Sequence, residues 1–341
     1  MADRARWLTG SIDTSRPAPA SPASVEPAPA FPDVLLLAAP LFALGVAVEW
    51  WLVRRGRARG RYAWRDAAAS VGMGVGSLLS DILMGAASLA LLLWVWEFRW
   101  LDLGAGPLTL LAAFVAGDFI YYWKHRFAHT VRWWWSAHVV HHSSTHYNLT
   151  TALRQPWNNH WTGHVLLSSP LVLLGFHPLV VGFAAALNLL YQYWVHTEAI
   201  DRMPAWFEAV FNTPSHHRVH HAREARYLDR NFAGVLIVWD RLFGTFQPED
   251  GGGMSYGTVV PVGTHNPLRI AFGETVALLR DATRRGLTPR ERLGYVFGPP
   301  GWSHDGSRRT SREMRAAWQA GEEGAYVEDE PDTISRQSHV G

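Results

Sequence analysis

The 341-residue sequence contains no cysteine. Disulfides, thiolate ligation and iron–sulfur clusters are therefore excluded. Charge is scarce too: 18% of residues are charged against 48% hydrophobic. The first 31 residues lack the basic-then-apolar pattern of a cleaved signal peptide. No internal repeat recurs at solenoid periods, and no flavin, haem or ferredoxin signature is visible. A protein with this inventory can hold a metal only by imidazole, carboxylate or amide, a donor set that suits Fe, Zn, Cu or Ni better than Mg or Ca.

Formal net charge is +2, but the basic residues are clumped. Arg54, Arg55, Arg57, Arg59 and Arg61 directly follow an apolar segment. That placement reads as the cytoplasmic flank of a membrane span. Without interleaved aromatics or a known module it does not read as a nucleic-acid patch, so no nucleic-acid partner is expected.

Residues 1–31 are rich in Pro, Ala and Ser, a composition that buries too little apolar area to offset ordering entropy. A disordered tail is expected there, and again over 300–341. Residues 32–106 read as N-terminal transmembrane helices. The first span, 33–53, matches the roughly 20 residues that cross a hydrocarbon core of ~30 Å, and Trp50 and Trp51 fit an interfacial belt. The second lies within 68–96, with Gly72 and Gly76 spaced for close helix contact and Asp81 in a buried hydrogen bond or at a helix break. A third span is expected over 108–123, and a helical hairpin over 165–195 with a break at 175–178. Residues 107–247 form the expected catalytic domain, and 248–299 a loop with amphipathic helices. The fold class is all-α: a polytopic membrane bundle with a histidine-rich helical cap on its cytoplasmic side.

Fourteen of the 17 histidines lie between His125 and His221. Three clusters stand out: HRFAH at 125–129, HVVHH at 138–142 and HRVHH at 217–221. Spacings of three and four place side chains on one helical face, so each cluster can aim two or three imidazoles at one point. Adjacent histidines splay by about 100°, which lets a doubled His reach two different metals. HRFAH alone would pass for two interfacial histidines facing headgroups; three clusters with the same spacing would not. Asn188, Gln192 and His196 recur every four residues at the end of an apolar helix. His196 is an expected further ligand, and Gln192 a ligand or water anchor; helix–helix hydrogen bonding is the alternative for Asn188 and Gln192.

The expected ligand and catalytic set is thus His125, His129, His138, His141, His142, His196, His217, His220 and His221. Nine imidazoles exceed one coordination sphere, so two metals are expected. Asp118, seven residues before His125 on the same helical face, is a ligand or an acceptor for an imidazole N–H. Asn148, Asn231 and Asp240 are candidates for the same outer role. Arg154, Arg218 and Arg241 are candidates for headgroup contact, with solvated helix-end charge as the alternative.

These residues carry a resemblance. DFIYYWKHRFAH, HVVHHSS, YNLTTALRQ, NTPSHHRVHH and NFAGVLIVWDRLFGTF resemble the fatty acid hydroxylase / sterol desaturase superfamily of membrane di-iron oxygenases. Within it, NLLYQYWVHTEAI and NTPSHHRVHHAR look like segments of the alkylglycerol monooxygenases. The resemblance covers about 107–247. It implies two iron ions on the eight clustered histidines and His196, O2 as co-substrate and a lipid C–H bond (fatty acyl, ether-lipid or sterol-like) as target. The alkylglycerol branch further implies tetrahydrobiopterin as reductant. One departure is Thr130, where that branch carries Glu directly after the second histidine. Electrons are expected from a separate reductase or a diffusible reductant. A lipid desaturase or sterol oxidase on the same core is the enzymatic alternative. A membrane metal transporter or storage protein is the non-enzymatic one, which would want ligands along a path across the bilayer.

Overall fold

Residues 28–251 and 253–322 are described by a computed structural model, and every regular element in them is helical. The tail expected at the N-terminus lies outside the described residues up to residue 27, as does the chain from 323 onward.

Helix α1, Val34–Arg54, starts where the Asp33 carboxylate accepts the Leu36 N–H at 3.0 Å. Its 21 residues rise about 31 Å, close to the hydrocarbon thickness of a bilayer. Helix α2, Trp64–Trp96, is longer at 33 residues. Leu36, Leu37, Leu41 and Leu44 of α1 and Leu78, Leu79, Ile82 and Leu83 of α2 all point outward. Rows of exposed leucine are costly in water and ordinary in lipid. Among the described residues, α1 and α2 are the helices long and apolar enough to cross a membrane. The residues of the third expected span fall in the first part of α3, Pro107–Thr130, which is not one of those two helices and whose later turns carry Asp118, Lys124, His125 and Arg126. The expected hairpin is α5, Ser169–Leu174, and α6, Pro178–Tyr193; His177 opens α6 by accepting the Leu179 N–H through Nδ1. Helix α6 packs along α3 and α1, and Leu92, Ala113, Val172, Val180 and Ala184 share the core beneath them.

The glycine spacing of α2 serves a different contact from the expected helix pair. A Cβ on Gly76 would lie 2.0 Å from the Trp157 ring. The Trp157 indole N–H donates to the Met73 carbonyl at 2.9 Å, so a loop, not a helix, lies against α2 there. Asp81 pairs with the His160 ring at 2.7 Å, and Ser88 bonds the other ring nitrogen at 2.8 Å.

Two buried carboxylates tie α1 and α2 to the loop at 144–154. Glu49 of α1 accepts the Leu149 N–H at 2.8 Å and the hydroxyls of Tyr62 and Thr197. Asp66 of α2 accepts from Ser144 and from Arg154 at 3.1 Å. The remaining elements are short: α4, Arg132–His142; α7, Ala205–Val210; α8, Pro214–His221; and α9, Val238–Leu242. Helices α10, Pro267–Ala282, and α11, Pro289–Phe297, come after the glycine-rich loop. Helix α10 runs antiparallel to α4. Arg132 bonds Asp281 at one end, and Val140 packs with Ile270 and Ala271 at the other.

The polar stretch after 300, expected to be disordered, instead carries α12, Ser311–Gln319. A reciprocal capping box between Thr310 and Glu313 starts it, and Arg315 donates to the Leu228 carbonyl at 2.7 Å. Caps and specific polar contacts order this segment, and composition does not register either.

Candidate metal centre

The nine predicted histidines converge as two groups. One holds His125, His129, His138, His142 and His220; the other holds His141, His196, His217 and His221. Within each, one nitrogen from every ring lies within 4.8 Å of the rest. The doubled motifs divide between them in opposite senses. Helix α4 sends His138 and His142 to the first group and His141 to the second. Helix α8 sends His220 to the first and His217 and His221 to the second. The last turns of α3 bring His125 and His129, and the chain three residues past the end of α6 brings His196.

Adjacent Nε2 atoms stand 2.9 Å apart for His125 and His138, and 3.1 Å apart for His138 and His142 and for His142 and His220. In the second group His141, His196, His217 and His221, taken in that order, are separated by 3.1, 3.0 and 3.2 Å. Six-coordinate nitrogen donors about 2.1 Å from a metal would be separated by roughly 3.0 Å along each edge.

Proton bookkeeping shows that these contacts are not all hydrogen bonds. A carbonyl only accepts, so a ring nitrogen facing one must carry the proton. His141 Nδ1 faces the Arg154 carbonyl at 3.3 Å, and His196 Nδ1 faces the Gln192 carbonyl at 2.7 Å. Both rings, held neutral, then present bare lone pairs at Nε2, 3.1 Å apart. Two lone pairs at that distance repel unless a cation sits between them. The first group repeats the pattern, with His125 Nδ1 on the Phe232 carbonyl and His220 Nδ1 on the Arg230 carbonyl, both at 2.8 Å. The Nε2 of His129 is buried with no hydrogen-bond partner. These donors fit a pair of transition-metal ions.

Neutrality is built in. Burial first, and the neighbouring imidazoles second, hold His138, His142, His217, His220 and His221 well below the usual histidine range. Burial does the same for His125 and His141, and pushes His196 down to about 4. Ligands must be neutral, so the fold supplies the ligating state.

The expected outer partners act at one remove from the imidazoles. Asp118 bonds no histidine. Its Oδ1 accepts from Asn188 at 2.6 Å and the Val235 N–H at 2.9 Å; its Oδ2 accepts from the Leu236 N–H and the Trp239 indole. Gln192 donates to Asn188 and accepts from the Tyr121 hydroxyl, so the 188–192 stripe is a hydrogen-bonded chain ending on Asp118. The Gln192 backbone, not its side chain, reaches His196. Asp240 accepts the Phe232 and Ala233 N–H groups at 2.8 Å, which fixes the carbonyl that orients His125. Asn231, at φ 55°, holds the His216 and Gln247 carbonyls. Asn148 caps its own turn through Thr150 and donates to Arg61. Close approach matters here: a Cβ on Gly234 would sit 2.5 Å from Asn188 Oδ1.

Arg154 and Arg218, candidates for headgroup contact, are buried instead. Arg154 bonds Asp66 and Ser143, and Arg218 bonds Glu249. Arg241 lies over the Phe246 ring at 3.8 Å. His216 packs on Phe246, outside both groups. One outer residue was missed: Asp229, at φ 52°, sets Oδ1 3.5 Å from His129 Nδ1 and Oδ2 3.5 Å from Arg315. It falls in no periodic pattern.

Comparison with known proteins agrees with this geometry. Residues 110–245 match the family model described as fatty acid hydroxylase. Human alkylglycerol monooxygenase is 39% identical over 279 residues, 80% of this chain and 60% of that protein. The Danio rerio protein of that name is 39% identical over 241 residues, covering 70% and 53% of the two chains. The Xenopus tropicalis one is 37% identical over 259 residues, covering 71% and 55%. The chain spans between about half and three-fifths of the length of these curated relatives. No solved structure matches it.

Proposed function

We propose, from the match of residues 110–245 to the fatty acid hydroxylase family model, that the protein is an integral-membrane di-iron oxygenase. It hydroxylates a C–H bond of a lipid. A lipid C–H, O2, two electrons and two protons give the alcohol and one water. The alkylglycerol monooxygenases it resembles make a fatty acyl or ether lipid the natural target class.

The observation that carries this reading is the pairing of bare Nε2 lone pairs, above all His141 against His196. The nine imidazoles would hold the two ions, the group of five rings one and the group of four the other. Iron held there supplies the reductive activation of O2 that an unactivated C–H bond demands. The protein does the rest. Carbonyls of Arg154, Gln192, Arg230 and Phe232 keep each proton on Nδ1 and each lone pair aimed inward. Burial excludes water and protons from the rings. Asp118 and Asp240 clamp the 232–239 turn, so His125 cannot swing away. Electrons come from a separate reductase or a diffusible reductant, tetrahydrobiopterin being the one the resemblance implies. The arginine run after α1 supports a site on the cytoplasmic face, and a cysteine introduced at Arg57 should label only from that side.

The test pairs two measurements on the full chain in bilayer nanodiscs. Anaerobic iron quantification should give about two irons per chain, and lipid addition with a reductant should drive O2 uptake with a hydroxylated product. One loosely held zinc and no lipid-dependent O2 uptake would sink the proposal. A product with a new double bond would move it to the desaturase class.

A further inference from the structure

A cavity of about 970 Å³ reaches the first histidine group and none of the second. Its volume is at the upper end of small-ligand sites. Helix α4 lines it with Arg132, Trp135, Val139 and His142, a spacing of three, four and three that forms one face. Beside it runs α10, packed antiparallel on α4, where Gly273 and Ala277 add small residues to the lining. Nothing lies within 4 Å of a Cβ built on Gly273, so that position faces open space.

The two ends differ in chemistry. His142 and Arg132 are ten residues apart on α4, which is roughly 15 Å. At the histidine end lie Ile270, the imidazoles, the Asp229 carboxylate beside His129 and one guanidinium, Arg269. At the far end Asp281 is held by both Arg132 and Arg308, and Glu274 by Arg132. Those carboxylates are consumed by buried or half-buried partners. Arg280 and Arg309, each one residue from the Asp281–Arg308 pair, also line this end and are exposed. Arg280 has no ion-pair partner among the described residues, and Arg309 reaches only Glu322, at 3.9 Å. A groove with two spare guanidinium groups, Arg280 and Arg309, at the end away from the metal-binding group matches one kind of molecule.

We propose that this cavity binds a single-chain anionic amphiphile, its phosphate or carboxylate head on Arg280 and Arg309 and its chain along Trp135, Val139, Gly273 and Ala277 toward the His129–His142–His220 end. This names the substrate class for the function proposed above and rests on it only for the chemistry at the histidine end. Guanidinium pairs with carboxylate or phosphate in fork geometry, which gives both affinity and a fixed register along the groove.

Binding is measured on the full-length protein in nanodiscs of uncharged lipid, without turnover. The probes are a lysophosphatidate, the monoacylglycerol of the same chain, and inorganic phosphate. The lysophosphatidate should bind about ten-fold tighter than the monoacylglycerol, the size of one charge-assisted hydrogen bond, and phosphate alone much more weakly than either. The double variant Arg280→Gln/Arg309→Gln should erase the ten-fold preference with bound iron and helix content unchanged. Gly273→Leu, which adds bulk to the lining, should weaken both lipids together. Equal binding of the two lipids, phosphate binding as tightly as the lysophosphatidate, a preference that survives the double variant, or an unaffected Gly273→Leu would each overturn the proposal. Selective binding without lipid-dependent O2 uptake would leave the site standing and sink the oxygenase reading. Turnover with no anionic preference would do the reverse.

Discussion

The two histidine groups are built from the same motifs and lean on backbone carbonyls alike, but differ in ring count, acidic partner and access. The first has five rings, a carboxylate at Asp229 and an open wall on the cavity. The second has four rings, no acidic partner on any of them among the described residues, and no wall on that cavity. His141 and His196 lean on backbone carbonyls, and Tyr147 packs against His196 and His221. A site with one ring to spare and access to a ligand suits the place where substrate meets the metal. A closed site with the minimum of rings suits an ion that stays put. If that division is right, equal substitutions should have unequal consequences.

The largest difference is expected between His138→Ala and His141→Ala. Losing His138 takes the first group from five donors to four, the number on which the second group already relies. Losing His141 takes the second from four to three and leaves the lone pairs of its neighbours buried without a counter-charge. Both variants should lose activity. His138→Ala should keep most of its iron, whereas His141→Ala should fall to about one iron per chain. Iron analysis after identical purification decides it, and equal losses would erase the distinction between the groups.

Protonation acts on both groups and is the next largest effect. In the unfolded chain a histidine titrates near 6.5. In the fold, burial holds His125, His138, His141, His142, His217, His220 and His221 lower, and His196 down to about 4. Between those values the unfolded state binds protons that the native state does not, so stability falls as pH falls through about 6.5. Chelator-treated protein should therefore lose Tm steadily from about pH 7 to about pH 5, with iron-loaded protein displaced to lower pH. A Tm of the stripped protein that is flat across that window would mean the rings are not held neutral.

Asp229 sharpens the comparison, because only the first group has such a partner. Asp229→Asn keeps the shape and removes the charge between His129 and Arg315. Metal affinity at the first group should fall about ten- to a hundred-fold, the usual range for outer partners of a ligand, with the second group unaffected. Competition with a graded chelator, read as two separate iron-release steps, would show whether one step moves or both.

How much of this was legible depends on what kind of group does each job. The nine rings could be read because side chains three and four apart on a helix leave a signature in sequence, and because HxxHH occurs twice. The apolar lengths of α1 and α2 are equally plain. The four carbonyls that orient His125, His141, His196 and His220 could not be read, since any residue carries one. Asp118 and Asp240 were picked out for the right neighbourhood and the wrong contact: they hold the turn that holds the ring. Asp229 depends on a left-handed backbone that no periodicity announces. Arg154 and Arg218 looked like free surface charge because their partners, Asp66 and Glu249, are far off in sequence. Helix α12 was lost to composition.

The smallest effect belongs to the histidine that shares a cluster without joining a group. His216 is adjacent to His217, is buried, and would pass any count of histidines as a ligand. Yet a helix turns about 100° per residue, and the face of α8 that sends His220 to one group and His217 and His221 to the other leaves His216 outside both. The ring of His216 packs edge-on against Phe246 at 5.3 Å, and its carbonyl accepts from Asn231. His216→Gln should therefore leave iron content unchanged and cost about 1 kcal/mol of stability from lost packing. His217→Gln, one position on, should strip the second group. An iron loss at 216 equal to that at 217 would mean that membership is set by proximity in sequence and not by the face of the helix, and the division into five and four rings would have to be redrawn.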